Sequence, residues 1–178
     1  MKPKRKNKNR NRWVLKSIII TFALSCAFGI SSELLLKISP TFFAVLVVLC
    51  IIAIGVLFDI IGVALTAADK ARFFAMDSKR VYASKQCVYM VKHADILSNV
   101  CNDIIGDICG IISGASGAVI ALRLATGENA NLWLGIIVSA VIAALTVGGK
   151  AYGKRVGMKK SNEIVLLVGK TLAFFTKK

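Results

Sequence analysis

Acidic residues are scarce in this chain. Nine Asp and Glu stand against 24 Lys and Arg over 178 residues, a formal net charge of +15. Proline occurs twice, tryptophan twice and histidine once. The lone His93 has no triad context, and G-x-S-x-G, Walker A and H-E-x-x-H patterns are absent, so the common enzymatic constellations are missing. Five cysteines (Cys26, Cys50, Cys87, Cys101, Cys109) form no C-x-x-C. They read as small apolar fillers, not as disulfides or a thiolate metal site. The chain is not expected to be an enzyme.

Apolar residues are abundant: 56% are hydrophobic, with a mean hydropathy of +0.70. A soluble domain carries about 45–50% apolar residues, so an ordinary soluble fold and a disordered basic chain are both excluded. A nucleic-acid binder carries such charge, but not with apolar runs like 17–30 and 42–57 between its basic segments. No nucleic-acid partner is expected. A bilayer core about 30 Å thick takes roughly 20 apolar residues per helix, and lipid leaves no partner for free backbone groups. The fold class is therefore an all-α integral membrane protein. Four transmembrane helices are expected over about 17–38, 41–68, 96–124 and 132–149. Within 69–95, Phe74, Val81 and Val88 repeat every seven residues. That predicts an amphipathic helical segment lying in the interface. The transmembrane domain spans 17–149, between a basic start over 1–16 and a basic tail over 150–178. Residues 161–175 of the tail predict a short amphipathic helix lying on the membrane or on a partner.

Charge sets the orientation. The segments 1–16, 69–95 and 150–178 hold eight, six and eight Lys+Arg, while Lys37 and Arg123 alone fall near the other two connections. By the positive-inside rule both termini are cytoplasmic in a multi-pass inner-membrane protein. The basic residues meet the bilayer's anionic lipids, at about 1 kcal/mol each near the surface. Trp13 and Trp133 sit where interface anchors belong. The start resembles a signal sequence, but the apolar run continues too far and lacks a small-x-small cleavage site, so an uncleaved signal-anchor is expected. Glu33 has Lys37 one turn on, which predicts a local ion pair near the outer surface.

Three aspartates lie where lipid should be: Asp59, Asp103 and Asp107. A carboxylate at mid-membrane costs about 2.5–3.5 kcal/mol on insertion scales, so three add up to about 7–10 kcal/mol. Residues 38–69 and 93–122 contain no Lys or Arg. A salt bridge within these spans is thus excluded, and a cation from solution is the simplest counter-charge. At 100° per residue, Gly55, Asp59, Gly62, Thr66 and Asp69 share a stripe of the second span. Asn99, Asn102, Asp103, Gly106, Asp107, Gly110, Ser113, Gly114 and Gly117 share a face of the third. Both acid sets lie roughly 10–16 Å from the cytoplasmic ends of their helices. Carboxylate and amide oxygens suit a hard cation such as Mg²⁺. Asp59 and Asn102 are the expected direct ligands. Asp103 and Asp107 would ligate the ion or tune its entrance, Thr66, Asn99 and Ser113 would line the path, and Gly62 and Gly106 would be flexible points of an alternating-access carrier. The glycine spacing by itself also fits helix packing.

The run Phe58-Asp59-Ile60-Ile61-Gly62-Val63-Ala64-Leu65-Thr66-Ala67-Ala68, a basic interfacial segment, and then Asn99-Val100-Cys101-Asn102-Asp103-Ile104-Ile105-Gly106 resembles the transmembrane domain of the CNNM/CorC family. In that alignment Asp59 stands at the family's motif serine, and Asn102 and Asp103 at its two asparagines. The resemblance covers about 45–150 and implies a Mg²⁺ exporter, coupled to Na⁺ entry and working as a homodimer. The family's CBS module has no counterpart here, and an N-terminal helix is added. Two functions are therefore expected: a divalent-cation transporter, Mg²⁺ first, or a non-transporting membrane scaffold or regulatory subunit that uses its Gly-rich helix faces. An intramembrane aspartyl hydrolase is disfavoured, because the Tyr-Asp and Gly-x-Gly-Asp motifs are absent.

Overall fold

The computed structural model describes residues 18–31, 34, 40–126 and 132–176, and all regular structure among them is helical. The first helix, α1, is Ile18–Ser31. Pro40 then sets the start of α2, Thr41–Ala67. Proline suits a helix start, where a missing N–H costs nothing. α3 is Lys70–Ser78, α4 is Ser84–Lys92 and α5 is Ala94–Asn99. One π-helical stretch, Val100–Gly106, joins α5 to α6, Asp107–Thr126. α7 is Leu132–Lys159 and α8 is Ser161–Thr176.

Among the described residues three helices are long and apolar enough to cross a membrane: Thr41–Ala67, the continuous Ala94–Leu124, and Gly135–Lys159. They mark a membrane protein. The span expected over 17–38 is described only as the shorter α1, and the rest of it lies outside the described residues. So do the basic start over 1–16 and the Glu33–Lys37 pair. The span expected to stop at 149 instead continues as helix to Lys159.

The long helices α2, α5–α6 and α7 contact one another pairwise. At one end the core is Ala44, Val48 and Ile52 of α2 with Ile120 of α6 and Ile142 of α7. At the other end, Gly149, Gly153 and Gly157 of α7 lie over Val56, Ile60 and Val63 of α2. The backbones approach closely there, because a Cβ on Gly157 would stand 2.8 Å from the Ile60 carbonyl oxygen. α2 and α7 therefore run in the same direction, and α5–α6 runs against both.

The segment 69–95 is not one amphipathic helix. Arg80 and Ala83 take positive φ, 51° and 66°, which turns the chain sharply between α3 and α4. Asp77 holds the turn: its carboxylate accepts from Ser84 Oγ at 3.0 Å, and its carbonyl accepts from the Arg80 N–H at 2.9 Å. A helix-only reading missed this turn because neither glycine nor proline marks it. The partner of residues 161–175 is within the chain. α8 lays its stripe Ser161, Val165, Gly169 and Ala173 inward and packs against α4 and α2. Phe73, Cys87, Met90, Val91 and Val165 close that second core. At its start, Asn162 Oδ1 accepts from the Asp69 N–H at 2.9 Å, while Asp69 Oδ1 caps α3 by accepting from Ala71 N–H at 3.0 Å. Asp69 is thus a helix cap, not part of the α2 stripe.

Candidate functional site

Asp59 and Gly62 lie one turn apart on α2, and Asn102 and Gly106 lie in the π-helical stretch that faces them. The pairs interlock. A Cβ on Gly62 would overlap the Asn102 carboxamide oxygen, and one on Gly106 would stand 2.5 Å from Asp59 Oδ1. Each glycine is the notch that receives the other helix's polar side chain. Asn102 and Gly106 are four residues apart and so face α2 together, and the stretch that carries them is π-helical, a winding that recurs at functional sites.

Asp59 is only 2% exposed. Its Oδ2 and the Oδ1 of Asn102 are buried oxygens with no hydrogen-bond partner among the described residues. Asn102 Nδ2 donates to Ser98 Oγ at 3.3 Å, which turns its carbonyl oxygen away from Ser98. Buried polar atoms are normally hydrogen-bonded, so two buried oxygens on facing helices that lack such a bond mark a place that can take a positive charge.

Residues 38–69 and 93–122 hold no Lys or Arg, but a counter-charge arrives from a third helix, where a cation from solution was the expected partner. Lys150 of α7 reaches in, its Nζ 4.0 Å from Asp59 Oδ2 and 3.4 Å from Asp107 Oδ1. The ammonium donates to the Gly106 carbonyl at 2.8 Å. The lysine was counted with the basic tail because the expected span ended at 149. One clue was present in the sequence: Gly149, Gly153 and Gly157 repeat every four residues, a packing motif that carries the helix past Lys150.

The other expected site residues separate. Asp107 joins the cluster through Lys150, with its side chain 65% exposed. Asp103 is exposed on the bundle surface, and Asn99 is half-buried beyond Asn102. Thr66 is exposed and donates to its own helix at Val63 O, 2.9 Å away. Ser113 is fully buried, but its hydroxyl is spent on the Gly110 carbonyl at 3.0 Å. Both hydroxyls donate within their own helices and not to the Asp59 cluster. Sequence reading missed Ser98, which is buried and orients Asn102; its place one turn before Asn102 was the signal available for it.

Among the described residues no group of three or more His, Cys, Asp or Glu side chains stands ready to hold a metal. The oxygens along this seam between the helices are one carboxylate, one carboxamide set against Gly62, and one backbone carbonyl, with Asp107 at the edge. That set is hard and oxygen-only, matching alkali and alkaline-earth ions over softer metals. No protein-family model, curated protein or solved structure matches this chain.

Proposed function

We propose that the chain carries a hard cation across the membrane, with a divalent ion, Mg²⁺ first, as cargo. The observation that carries this reading is the pair of buried oxygens on facing helices that have no hydrogen-bond partner among the described residues, Asp59 Oδ2 and Asn102 Oδ1. Burying such atoms bare costs about 1–3 kcal/mol each, and a cation between the helices removes that cost. Asp59 and Asn102 bind the ion, the Gly106 carbonyl stands at hand, and exposed Asp107 and Asp103 draw cations toward the entrance. The Lys/Arg distribution supports an inner-membrane placement with cytoplasmic termini. The CNNM/CorC resemblance adds Na⁺ coupling and a homodimer to the proposal.

The test is Mg²⁺ flux in proteoliposomes. Asp59→Ala and Asn102→Ala are expected to lower flux at least tenfold, and a Na⁺ gradient to drive it. Variants that move Mg²⁺ like the parent would end this reading.

A second reading is favoured by Lys150: an ion pair that neutralises Asp59 internally suits a static scaffold or regulatory subunit. Thermal unfolding separates the two. A Mg²⁺-dependent rise in Tm that disappears in Asp59→Asn supports transport, and no rise with any cation supports the scaffold.

A further inference from the structure

Lys150 belongs to α7, the helix that supplies no oxygen to the proposed site. Its ammonium nevertheless stands among oxygens of the opposite helix: the Gly106 carbonyl at 2.8 Å and Asp107 Oδ1 at 3.4 Å. Asp59 Oδ2 of α2 is 4.0 Å away. Gly110, one turn beyond Gly106, borders the ammonium: a Cβ there would lie 3.6 Å from Nζ, in ordinary contact. Oxygens from two helices around a compact positive charge are also what a hard metal cation requires. Two cations this close in a partly buried setting repel strongly, so the ammonium and the cargo cannot both sit on Asp59.

We infer that Lys150 is a tethered cation that exchanges with the transported ion at Asp59. The inference rests on the transport reading above. With cargo bound, the ammonium withdraws to Asp107, whose exposed carboxylate is already its nearer acidic partner. With cargo gone, the ammonium returns and covers the buried Asp59 charge. A bare carboxylate at this depth is costly, and Lys150 lets the unloaded carrier change conformation without one. Lys150 is a positioning residue: it acts on the cargo through Asp59.

Two measurements test this. In proteoliposomes, net Mg²⁺ efflux into Mg²⁺-free buffer requires an unloaded return step, whereas isotope exchange with Mg²⁺ on both sides does not. Lys150→Met is expected to lower net efflux at least tenfold while exchange stays within threefold of the parent. In the parent protein, reductive methylation read by mass spectrometry is expected to label Lys150 at least threefold faster in saturating Mg²⁺, with Lys170 unchanged as the control. Net efflux equal to the parent in Lys150→Met overturns the inference, and so does Lys150 labelling that Mg²⁺ leaves unchanged or slows. Should Lys150→Met fail to fold, the labelling of the parent decides alone. Failure of the underlying reading looks different: Asp59→Ala and Asn102→Ala would then leave both net efflux and exchange at parental levels.

Discussion

Removing both partners of the Asp59–Lys150 pair should cost less than the two single removals added together. In Lys150→Met, Asp59 keeps its burial, with a side chain 3% exposed, and loses the ammonium 4.0 Å away. Coulomb attraction at that distance is about 4 kcal/mol at an effective dielectric of about 20. Breaking a buried pair from one side costs about 3–5 kcal/mol, because a charge is left behind. Lys150 is 22% exposed and retains Asp107 and the Gly106 carbonyl, so Asp59→Asn should cost less, about 1–2 kcal/mol. In Asp59→Asn/Lys150→Met both charges are gone, and the loss should fall below the sum of the single losses by about 2 kcal/mol or more. Equilibrium unfolding of all four proteins in mixed micelles, followed by helix circular dichroism, measures this. Losses that add within about 0.5 kcal/mol would refute the view that this pair holds α2 to α7.

Three further outcomes follow from the α3–α4–α8 layer. A Cβ on Gly169 would overlap Cys87 Sγ, so Gly169→Ala should destabilise α8 docking by about 1–3 kcal/mol; adding Cys87→Ala should recover most of it, read as hydrogen exchange in α8. Burial pushes the Cys87 thiol above its ordinary value of 9.0, outweighing its backbone hydrogen bond and the Lys170 charge, which pull it down. The folded state thus favours the protonated thiol, so this group's contribution is complete below pH 9 and declines above it; Cys87→Ala should flatten the alkaline loss of Tm, and maleimide should label Cys87 slowly at neutral pH. Arg80 holds φ at 51°, a region that costs a side-chain-bearing residue about 1–2 kcal/mol, so Arg80→Gly should leave stability unchanged or raise it by up to about 1 kcal/mol in the same unfolding assay.

Much of the bundle was legible from hydropathy alone, because lipid forces long apolar helices: α2 and α5–α6 fall where their spans were expected. Helical phase brought Asp59 and Gly62 toward Asn102 and Gly106, since a small residue opposite a polar one is readable at 100° per residue. Lys150 was not readable by hydropathy, which sees a lysine as the end of a span, whereas a helix pair can bury an ammonium once its charge is met. The turn at Arg80–Ala83 escaped because left-handed backbone was held by Asp77 and Ser84 without a glycine to announce it. Thr66 and Ser113 donate within their own helices for a general reason: a hydroxyl on a helix is readily satisfied by the carbonyl three residues back, so a polar residue on the right face need not point into the site.

The π-helical stretch Val100–Gly106 carries a genetic consequence. It behaves as a helix holding one residue too many. Deleting a single codon within it would let the winding relax to 3.6 residues per turn, and the flanks would keep their phase, because about six residues of α-helix turn as far as seven of the wider winding. Ser98 and the helix entrance would stay on α2 together with Ile108, Ile112 and Ile120, and the side chains inside the stretch, Asn102 among them, would be re-aimed. Such a shortened chain should still insert and assemble its outer half. A frame-preserving deletion scan across 94–112 would therefore separate what builds this bundle from what it was built to hold.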